Sequence, residues 1–430
     1  MPTIAFHTLG CKLNFSETAT LSRLFVEKNY QKVSFNQVAD TYVINTCSVT
    51  ELADKKCKQA IRKAIRQNPE STVIVTGCFA QLKPQEIVNI PGVSLVLGAN
   101  EKLNLSKYLE HIQQKKSPES HSCEIDSVEN YFGAFSLNER TRSFLKVQDG
   151  CDYPCTYCTI PKARGKSRNE SIADLVSKAE VIAQNGIKEI ILTGVNIGDF
   201  GKSTSETFFD LIKALDQVEG IDRIRISSIE PNLLTDEMLL YISQSQRIMP
   251  HFHIPLQSGS DEVLSDMKRR YNTKMFREKI ERINALVPHA GIGVDVIVGF
   301  PTETDELFEE ALNFINSLNI MALHVFTYSD REGTVATAME KSVPFSNRQH
   351  RSKILHQLSE KKQRYFNEQF IGQTRPVLTE TYRNRATMYG FTDNYIRVEV
   401  PYDKRYKNKI VQVRLESTLE NGNMKGRIIE

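Results

Sequence analysis

The sequence predicts an α/β protein in which an N-terminal open parallel sheet is followed by a central partial (βα)6 barrel and a small C-terminal antiparallel β-barrel. Three observations lead to this fold class. Short apolar runs alternate with amphipathic helical stretches near the N-terminus, six strand-like runs recur at steady spacing in the middle, and short alternating runs occupy the C-terminal part. At 430 residues, with 40% hydrophobic and 25% charged residues, the chain has the composition of a protein with several globular domains.

The bulk charge and the N-terminal segment bound the cellular setting. The net charge is only +3, so any sign of an anionic partner has to be local. The N-terminus lacks a basic segment followed by an apolar run, and no apolar stretch approaches the length that spans a bilayer. We expect a cytoplasmic monomer that makes no membrane contact.

Residues 1–112 form the first predicted domain, and each of its three clearest strands leads to a cysteine. Cys11, Cys47 and Cys78 follow the runs at residues 3–6, 41–44 and 73–75. Because the carboxyl ends of parallel strands share one edge of an open α/β sheet, these cysteines should converge where ligands bind. The functional interpretation is a three-thiolate iron-sulfur site with one iron left open. The alternative is that cysteine serves as a small buried residue at strand ends.

Two other cysteines fit a structural role better. Cys57 recurs with small and apolar residues on one face of a predicted helix, so it is expected in the core. Cys123 lies in residues 113–141, a polar stretch that we interpret as the connection between two domains.

Residues 142–345 form the second predicted domain. Each of its repeats is about as long as a βαβ unit requires, so six of them make an open version of the eight-fold barrel. In such a barrel the chemistry lies at the carboxyl ends of the strands. The predicted strands are residues 143–147, 189–192, 223–229, 251–256, 293–298 and 322–326.

The first of these strands leads into Cys151, Cys155 and Cys158, which form a Cys-x3-Cys-x2-Cys motif. Three thiolates this close in sequence can hold three irons of a four-iron cubane, which leaves the fourth iron open to a small molecule. A structural zinc knuckle is the alternative, although tetrahedral zinc usually has a fourth Cys or His nearby. The motif, with Tyr157 just before the third cysteine, resembles the radical S-adenosylmethionine (SAM) superfamily, in which the open iron chelates SAM.

The resemblance implies a SAM pocket at the same strand ends, which are polar or rich in glycine. Glycine lets the backbone approach a ligand, and Ser, Asn and Gln supply hydrogen bonds to ribose and carboxylate. Loops of this kind also need such residues whatever their function, and Tyr157 fits an aromatic cap on the loop equally well. The superfamily's Gly-Gly-Glu pattern is not kept at residues 193–196. The candidate SAM contacts are Tyr157, Gly194, Asn196, Ser228, Glu230 and Gln257.

Four cations at alternate positions follow the cysteine motif: Lys162, Arg164, Lys166 and Arg168. The spacing fits the solvated face of a strand. It fits a contact to substrate phosphates equally well, so both interpretations stay open.

A long amphipathic helix is predicted at residues 346–368, where residues 346–349 form a capping box, and we interpret it as a brace between domains. Residues 369–430 then form the third predicted domain, a small antiparallel β-barrel with strands at 375–380, 395–400 and 410–415. This segment holds eleven Lys and Arg against seven Asp and Glu, an excess larger than the net charge of the whole chain. The anionic partner is therefore expected here.

Tyrosines alternate with cations in this C-terminal segment. Aromatic rings stack on splayed bases and cations hold phosphates, which are the requirements for binding RNA loops. The tyrosines are Tyr382, Tyr389, Tyr395, Tyr402 and Tyr406. A role in the core fits about half of them. The predicted RNA-binding residues are Tyr382, Arg383, Arg385, Lys404, Arg405 and Lys407.

Over nearly its whole length the chain resembles the radical SAM methylthiotransferases. The resemblance rests on the two cysteine trios, on Asn14 and Asn45, and on residues 8–14 and 147–151, which look most like the branch acting on threonylcarbamoyl-adenosine beside the tRNA anticodon. It implies an N-terminal methylthiotransferase domain, a radical SAM barrel and an RNA-binding barrel of the TRAM type, which is OB-like. It also implies two [4Fe–4S] clusters. The auxiliary cluster would be held by Cys11, Cys47 and Cys78, and the SAM cluster by Cys151, Cys155 and Cys158.

The implied reaction is methylthiolation of carbon two of the modified adenosine. That carbon carries an unactivated C–H bond which no side-chain acid or base can usefully deprotonate, so cofactors must supply the step. SAM would be both radical source and methyl donor, and the auxiliary cluster would carry sulfur. The open sides of both clusters should therefore face one cavity. The implied partners are the tRNA anticodon stem-loop and an electron donor such as flavodoxin or ferredoxin.

Three alternatives stay open on the sequence. Within the family, the substrate would be isopentenyl-adenosine in tRNA or an aspartate of a ribosomal protein. A cobalamin-dependent radical methylase would also carry an N-terminal α/β domain, but the chain has no Asp-x-His-x-x-Gly motif for the corrin. A non-enzymatic iron-sulfur or zinc protein that binds RNA is the third alternative.

Overall fold

A computed structural model describes residues 1–105, 107–108, 118–137, 140–340, 342–380 and 386–429. The N-terminal domain contains β1 (Thr3–Thr8), α1 (Lys12–Glu27), β2 (Gln31–Val33), β3 (Thr41–Thr46), α2 (Glu51–Gln67), β4 (Thr72–Gly77), α3 (Cys78–Leu82), α4 (Pro84–Val88), β5 (Leu95–Leu97) and β6 (Glu119–His121). The strands form one sheet in the order β2-β1-β3-β4-β5-β6, and all neighbours are parallel. This is the open parallel sheet that the sequence predicts.

Burial explains the central strand and the helix that covers it. All six residues of β3 are buried, as expected for a strand covered on both faces. The Thr50 side chain caps α2 by accepting a hydrogen bond from the Ala53 N–H at 3.2 Å. One face of α2 then buries Cys57 with Ala60 and Ile61 in the core. The structural role predicted for Cys57 is therefore confirmed.

The strand β6 departs from the sequence analysis. Its three residues, Glu119–His121, lie in the stretch interpreted as an interdomain connection, yet they pair with β5 and complete the sheet. The strand is short and polar, so it carries no apolar pattern that would reveal it. The interdomain connection is correspondingly shorter than predicted. Cys123 follows this strand, and its carbonyl accepts a hydrogen bond from Gln81 at 2.9 Å.

The central domain alternates strands and helices. Its elements are β7 (Arg142–Lys146), α5 (Ile160–Arg164), α6 (Ile172–Gln184), β8 (Glu189–Thr193), α7 (Phe208–Asp216), β9 (Arg223–Ile226), α8 (Asp236–Gln244), β10 (His251–Gln257), α9 (Asp261–Asp266), α10 (Thr273–Leu286), β11 (Gly291–Val298), α11 (Asp305–Ser317) and β12 (Ala322–Thr327). Two parallel sheets, β7-β8-β9 and β10-β11-β12, meet through parallel bridges at Ile224–Ile248 and Ser228–His253. The six strands thus follow chain order around a partial barrel, as predicted, and the largest apolar core fills the space between strands and helices.

A helix of 24 residues, α12 (Phe345–Glu368), runs beside the last barrel strand. The Ser359 hydroxyl bonds both the N–H and the carbonyl of Leu323 in β12, at 2.9 and 3.0 Å. The helix begins one residue before Ser346, with Pro344 at its N-cap and no side-chain cap, so the predicted capping box is wrong. Proline supplies the extended entry instead. Within the described ranges, no helix combines the length and apolar character needed to cross a bilayer.

The C-terminal domain is a closed five-stranded barrel. It contains β13 (Thr374–Thr379), β14 (Thr387–Thr392), β15 (Arg397–Pro401), β16 (Ile410–Thr418) and β17 (Met424–Ile428), in the order β13-β14-β15-β17-β16. The pairs are antiparallel except β15 and β17, which run parallel, because five strands in a closed ring cannot alternate in direction throughout. The predicted strand at 395–400 begins only at Arg397, since Tyr395 has φ +75° and lies in a turn.

Hydrogen bonds from two arginines of β9 fix this C-terminal barrel to the base of the central barrel, where β9 begins. Arg223 donates to the carbonyl oxygens of Phe391 and Pro376 at 3.0 and 2.8 Å. Arg225 donates to the carbonyl oxygen of Asp393 at 3.0 Å. Both guanidinium groups are buried, and hydrogen bonds from charged donors are stronger than neutral ones. The two barrels are therefore joined through backbone positions.

Candidate functional site

Three loops at one edge of the N-terminal sheet carry Cys11, Cys47 and Cys78. Their strands β1, β3 and β4 are neighbours; Cys11 is the N-cap of α1, Cys47 follows β3, and Cys78 begins α3. The loops touch, because a Cβ on Gly10 would lie 2.6 Å from the Cβ and 2.9 Å from the Sγ of Cys47. Gly10 also has φ +98°, which favours glycine. The thiols act on one another electrostatically, so the fold brings this predicted trio together.

Two buried asparagines hold these loops. The Asn14 amide donates to the carbonyl oxygens of Leu9 and Thr46, at 2.8 and 3.0 Å. The Asn45 amide donates to the Asn14 carbonyl at 3.0 Å. Leu9 and Thr46 lie shortly before Cys11 and Cys47, so the two amides set the separation of two cysteine loops.

The second trio lies on the loop after β7. The Cys158 N–H donates to the Cys155 carbonyl at 3.1 Å, which closes a tight turn. Backbone N–H groups also point at two of the sulfurs, from Tyr153 to Cys151 and from Ile160 to Cys158, each at 3.4 Å. Such donors favour the thiolate form of a ligand.

An arginine that the sequence analysis missed contacts this loop. Arg269 donates to the Cys155 Sγ at 3.0 Å and to the Tyr157 hydroxyl at 3.4 Å, and it forms an ion pair with Glu230. Its side chain is almost fully buried. The only sequence signal was a run of three cations after α9, which does not distinguish a site from a solvated surface. Glu230, predicted as a SAM contact, thus has Arg269 as its partner.

Burial controls the thiol chemistry of both trios. It raises the pKa of Cys47, Cys151 and Cys158 to about 12 in each case, and neighbouring thiols add to the effect. These side chains are therefore neutral near pH 7 and poor nucleophiles by themselves. A bound metal ion deprotonates a coordinating thiol outright, so the donor set suits a metal site better than covalent catalysis.

The number of thiol donors in each trio suits an iron-sulfur cluster. Among the residues the structure describes, no group of three or more His, Cys, Asp or Glu side chains converges as a single metal ion would require. A cubane receives its thiolates at separate corners, so three cysteines on one loop or at three strand ends suit it. A cubane held by either trio would keep one iron without a thiolate from that trio.

Asn196 has the features of a ligand-binding side chain. It is 3% exposed, and among the described residues neither its amide nitrogen nor its side-chain oxygen has a hydrogen-bond partner. Its backbone is held in place, because Gln148 accepts hydrogen bonds from the N–H groups of Val195 and Asn196 at 2.9 and 3.0 Å. A Cβ on Gly194 would lie 2.9 Å from that Gln148 oxygen, so glycine is required for the close approach. An unpartnered buried amide at a barrel strand end fits a polar ligand such as SAM.

The remaining candidate SAM contacts occupy the same end of the barrel. Tyr157 and Gln257 line a cavity of about 190 Å³ together with Cys158. Gln257 has φ +67° and follows a register shift in β10, so the strand end is distorted. Ser228 is half-buried beside its bridge to His253.

The loop after Cys47 in the N-terminal domain contacts the loop after Cys158 in the central barrel. The Thr159 hydroxyl, directly after Cys158, donates to the carbonyl of Ser48, directly after Cys47, at 3.5 Å. Arg331, beyond β12, donates to the Ser48 hydroxyl at 2.7 Å. The 190 Å³ cavity is lined from both sides: Val49 and Thr50 come from the N-terminal domain, and Tyr157, Cys158 and Phe326 come from the barrel.

A buried network of charges joins α1 of the N-terminal domain to the segments that flank the barrel cysteines. Glu17 accepts hydrogen bonds from Arg164 and Lys146, both at 3.0 Å. Arg164 also donates to Asp149 at 2.8 Å and to the Asn14 side chain at 2.6 Å. Burial alone would raise the pKa of Glu17, but the charge of Arg164, aided by those of lysines, lowers it well below its ordinary value. Asp149 is held ionised in the same way.

This network corrects the interpretation of the cations after the cysteine motif. Arg164 ends α5 in the interior, and Arg168 is buried against the carbonyl oxygens of Arg164 and Lys166. Lys162, which donates to the carbonyl of Gly333, and Lys166 are both exposed. Neither a solvated strand face nor a phosphate contact describes the two arginines. Alternation of charge could not reveal a buried partner that is distant in sequence.

The predicted RNA-binding residues are only partly described. Lys404, Arg405 and Lys407 are exposed on the C-terminal barrel, where Arg405 pairs with Asp403 at 2.8 Å. Lys407 lines a polar pocket of about 460 Å³ between the two barrels. Tyr382, Arg383 and Arg385 lie outside the described residues.

Tyr395, considered with the RNA-binding tyrosines, has another position. Its ring packs at a tilt against His251, with centroids 4.3 Å apart, and lies under Arg225 at 4.6 Å. It therefore faces the base of the central barrel.

Two segments of the chain match known families. Residues 3–98 match the family described as "Uncharacterized protein family UPF0004", and residues 145–315 match the radical SAM superfamily.

Relatives align along nearly the whole chain. It is 39% identical over 423 residues to the threonylcarbamoyladenosine tRNA methylthiotransferase MtaB of Bacillus subtilis (strain 168), covering 96% of this chain and 94% of the relative. It is 33% identical over 443 residues to the tRNA-2-methylthio-N(6)-dimethylallyladenosine synthase of Helicobacter acinonychis (strain Sheeba), covering 99% and 98%.

A solved structure shares the fold. The radical S-adenosylmethionine methyltransferase TsrM from Kitasatospora setae superposes with a TM-score of 0.56 over 76% of this chain and 73% of that one, at 12% identity. At this identity the likeness concerns the fold alone.

Proposed function

The chain belongs to the radical SAM methylthiotransferase family, and we propose that it methylthiolates carbon two of N6-threonylcarbamoyl-adenosine beside the anticodon of tRNA. The family uses SAM and a [4Fe–4S] cluster, and methylthiotransferases carry a second cluster. When bound, these cofactors supply the one-electron chemistry and the sulfur that an unactivated C–H bond requires.

We assign the cluster ligands to the two trios. Cys151, Cys155 and Cys158 hold the SAM cluster, and the dispersed trio in the N-terminal domain holds the auxiliary cluster. The observation that carries the proposal is the contact between Thr159 and Ser48, because it joins the residue after one trio to the residue after a member of the other. Clusters held by these two trios would bring their chemistry to one bound base, because the loops contact each other.

The protein's own side chains position the cofactor and keep its pocket polar. Asn196 offers an unpartnered amide, and Arg269 places a positive charge against Cys155. Arg269 orients the cysteine loop and balances its negative charge. These are positioning roles, since neither residue has to gain or lose a proton.

The anticodon stem-loop is assigned to the C-terminal barrel. Lys404, Arg405 and Lys407 supply exposed cations there, and phosphate contacts of this kind give affinity that falls with salt. The reductant is proposed to be a small electron carrier such as flavodoxin or ferredoxin. The working form is proposed to be a cytoplasmic monomer, because its substrate tRNA is found in that compartment.

The substrate is tested by mass spectrometry of tRNA nucleosides from cells with and without this chain. Loss of the methylthio derivative of threonylcarbamoyl-adenosine alone is the expected result. Loss of the dimethylallyl product instead would change the substrate to the one named for the Helicobacter relative. If neither nucleoside changed, the tRNA assignment would be wrong, and an aspartate of a ribosomal protein would be the substrate to examine.

The cofactors are tested by iron analysis of protein reconstituted without oxygen. About eight irons per chain are expected, because each cubane holds four. The triple variant of Cys151, Cys155 and Cys158 to Ala should keep about four. Cys123→Ala, which changes a cysteine outside both trios, is the control and should keep all of them. If the protein held zinc and no iron, the remaining interpretation would be a non-enzymatic zinc protein that binds RNA.

A further inference from the structure

The inner face of the central barrel carries polar side chains that cluster binding does not use. On β10, Phe252 and Ile254 pack into the core between strands and helices, so His253 between them faces inward. His253 lies 2.7 Å from Asp295 of β11, and its ring centroid is 4.8 Å from that of His324 on β12. Three neighbouring strands thus present polar groups to the barrel interior.

A lysine from the N-terminal domain reaches the same interior. Lys12 directly follows Cys11 and opens α1. Its electrostatic neighbours are Tyr395, the cations Arg142 and Arg225, and Asp295, and it acts in turn on His324. Much of its side chain is accessible, and within the described residues its ammonium group has no hydrogen-bond or ion-pair partner. The Lys12 ammonium group, beside Cys11, therefore faces the barrel interior without a partner among the described residues.

An exposed aromatic ring connects these groups to the cysteine end of the barrel. Phe326 lies two residues beyond His324 on β12, so both point the same way. Its side chain is 49% exposed, and it lines the cavity beside Tyr157 and Cys158. Two residues along a strand span about 7 Å, which is the scale of a nucleobase. A base against Phe326 would carry a side group toward His324 and Lys12.

We propose that Lys12 and His324 form the subsite for the carboxylate of the threonylcarbamoyl group, with Phe326 against the adenine ring. The inference rests on the proposed function, since only that substrate places a carboxylate on the base. Lys12 contributes charge and His324 a hydrogen bond. Burial and the neighbouring His253 lower the pKa of His324, so its imidazole is neutral near pH 7.

The subsite also explains rejection of the other base. A dimethylallyl group is apolar and offers nothing to Lys12, whose charge would then lose water without gaining a partner. Sites built around a charged hydrogen bond reject analogues that lack it. The same barrel can therefore serve either substrate in different family members, according to what faces this position.

The test compares two stem-loops that differ only in charge. One carries threonylcarbamoyl-adenosine and the other its methyl ester, and binding to the reconstituted holoenzyme is measured by fluorescence anisotropy. The native protein should prefer the acid by about 10- to 100-fold, the usual value of a charge-assisted hydrogen bond. Lys12→Gln should bind the acid as weakly as native protein binds the ester, with the ester unchanged. Lys12→Arg should restore most of the preference.

Controls separate the possible failures. Lys28→Gln removes an exposed charge just after the other end of α1 and should change neither affinity. If native protein does not distinguish acid, ester and unmodified adenosine, the proposed function itself is wrong. If it prefers the acid but Lys12→Gln keeps that preference, or weakens all three RNAs equally, the subsite is overturned. If Lys12→Gln lacks its clusters, His324→Phe provides the decision: it must lower the preference for the acid, and an unchanged preference overturns the subsite.

Discussion

The two cysteine trios are built in opposite ways. Cys151, Cys155 and Cys158 lie on one loop, whose turn is closed by a hydrogen bond between two of them. The N-terminal trio lies at three strand ends, and its geometry depends on β1, β3 and β4 being neighbours. A loop carries its own ligand spacing, whereas dispersed ligands exist only once the sheet has formed. The geometry of the N-terminal trio therefore depends on correct folding of the sheet.

The trios also differ in what surrounds them. The central loop has the charge of Arg269 against one sulfur. The N-terminal loops are held by amides, and behind them Arg164 joins Glu17 of one domain to Asp149 of the other. One site is adjusted by a local cation, and the other is fixed by a network that crosses the domain interface.

Removing cysteines should separate the trios most completely. The triple variant of Cys151, Cys155 and Cys158 to Ala should abolish reductive cleavage of SAM, because no cluster can then bind it. Cys47→Ala should keep that cleavage and abolish methylthiolation. Anaerobic assays of 5′-deoxyadenosine and of modified nucleoside measure the two steps. Cleavage lost in Cys47→Ala would show that the N-terminal site is required for the central one.

Breaking the network should have the next largest effect. Arg164→Ala removes the arginine that Glu17 and Asp149 share while Lys146 still pairs with both, so the loss should lie below the cost of about 3–5 kcal/mol for a fully unpaired buried charge. Thermal unfolding should show a marked loss, and limited proteolysis should cut between the first two domains. Lys166→Ala, an exposed cation two residues away, is the matched control. Equal stability of both variants would contradict a structural role for the network.

A single methyl group at Gly10 should affect only the dispersed trio. Gly10→Ala combines a left-handed backbone with contact to Cys47, at a cost of about 2–4 kcal/mol, and should halve the iron content. Gly186 has φ +75°, but a Cβ there would meet no atom of the described residues within 4 Å. Gly186→Ala should therefore cost about 1–2 kcal/mol and keep all the iron. Iron retained by Gly10→Ala would show that this loop can move without losing the cluster.

Acid should weaken the network gradually. The folded-state pKa of Glu17 lies well below its unfolded value, so its contribution is fully present above about pH 5 and is lost as pH falls toward the folded pKa. The stability difference between native protein and Glu17→Gln should therefore narrow below about pH 4, by up to about 1.4 kcal/mol per pH unit. Unfolding at matched pH values measures it. A difference that grew in acid would reverse the assigned sign.

Sequence reasoning succeeded where a pattern is local or where topology converts it into position. Cys11, Cys47 and Cys78 could be grouped because strand ends of a parallel sheet share an edge, and the closed C-terminal barrel followed from alternation. It failed where the partner is distant in sequence. The sequence around Arg164 does not indicate that Glu17 is its partner. The sequence around Glu230 likewise does not indicate its ion pair with Arg269. Tyr395 was grouped with surface tyrosines, because the sequence does not indicate which face of a small barrel is covered.

The arginines at the base of the central barrel have a further consequence. Arg223 and Arg225 bind backbone carbonyls of the C-terminal barrel, so on that side the joint does not depend on side chains that could rotate away. The surface that carries Lys404 and Lys407 consequently stands at a constant distance from the cysteine end. A rigid spacing of this kind acts as a ruler: an RNA stem held at one end presents a nucleotide at one fixed offset to the other. Selection of the position beside the anticodon can thus rest on length as well as on base chemistry.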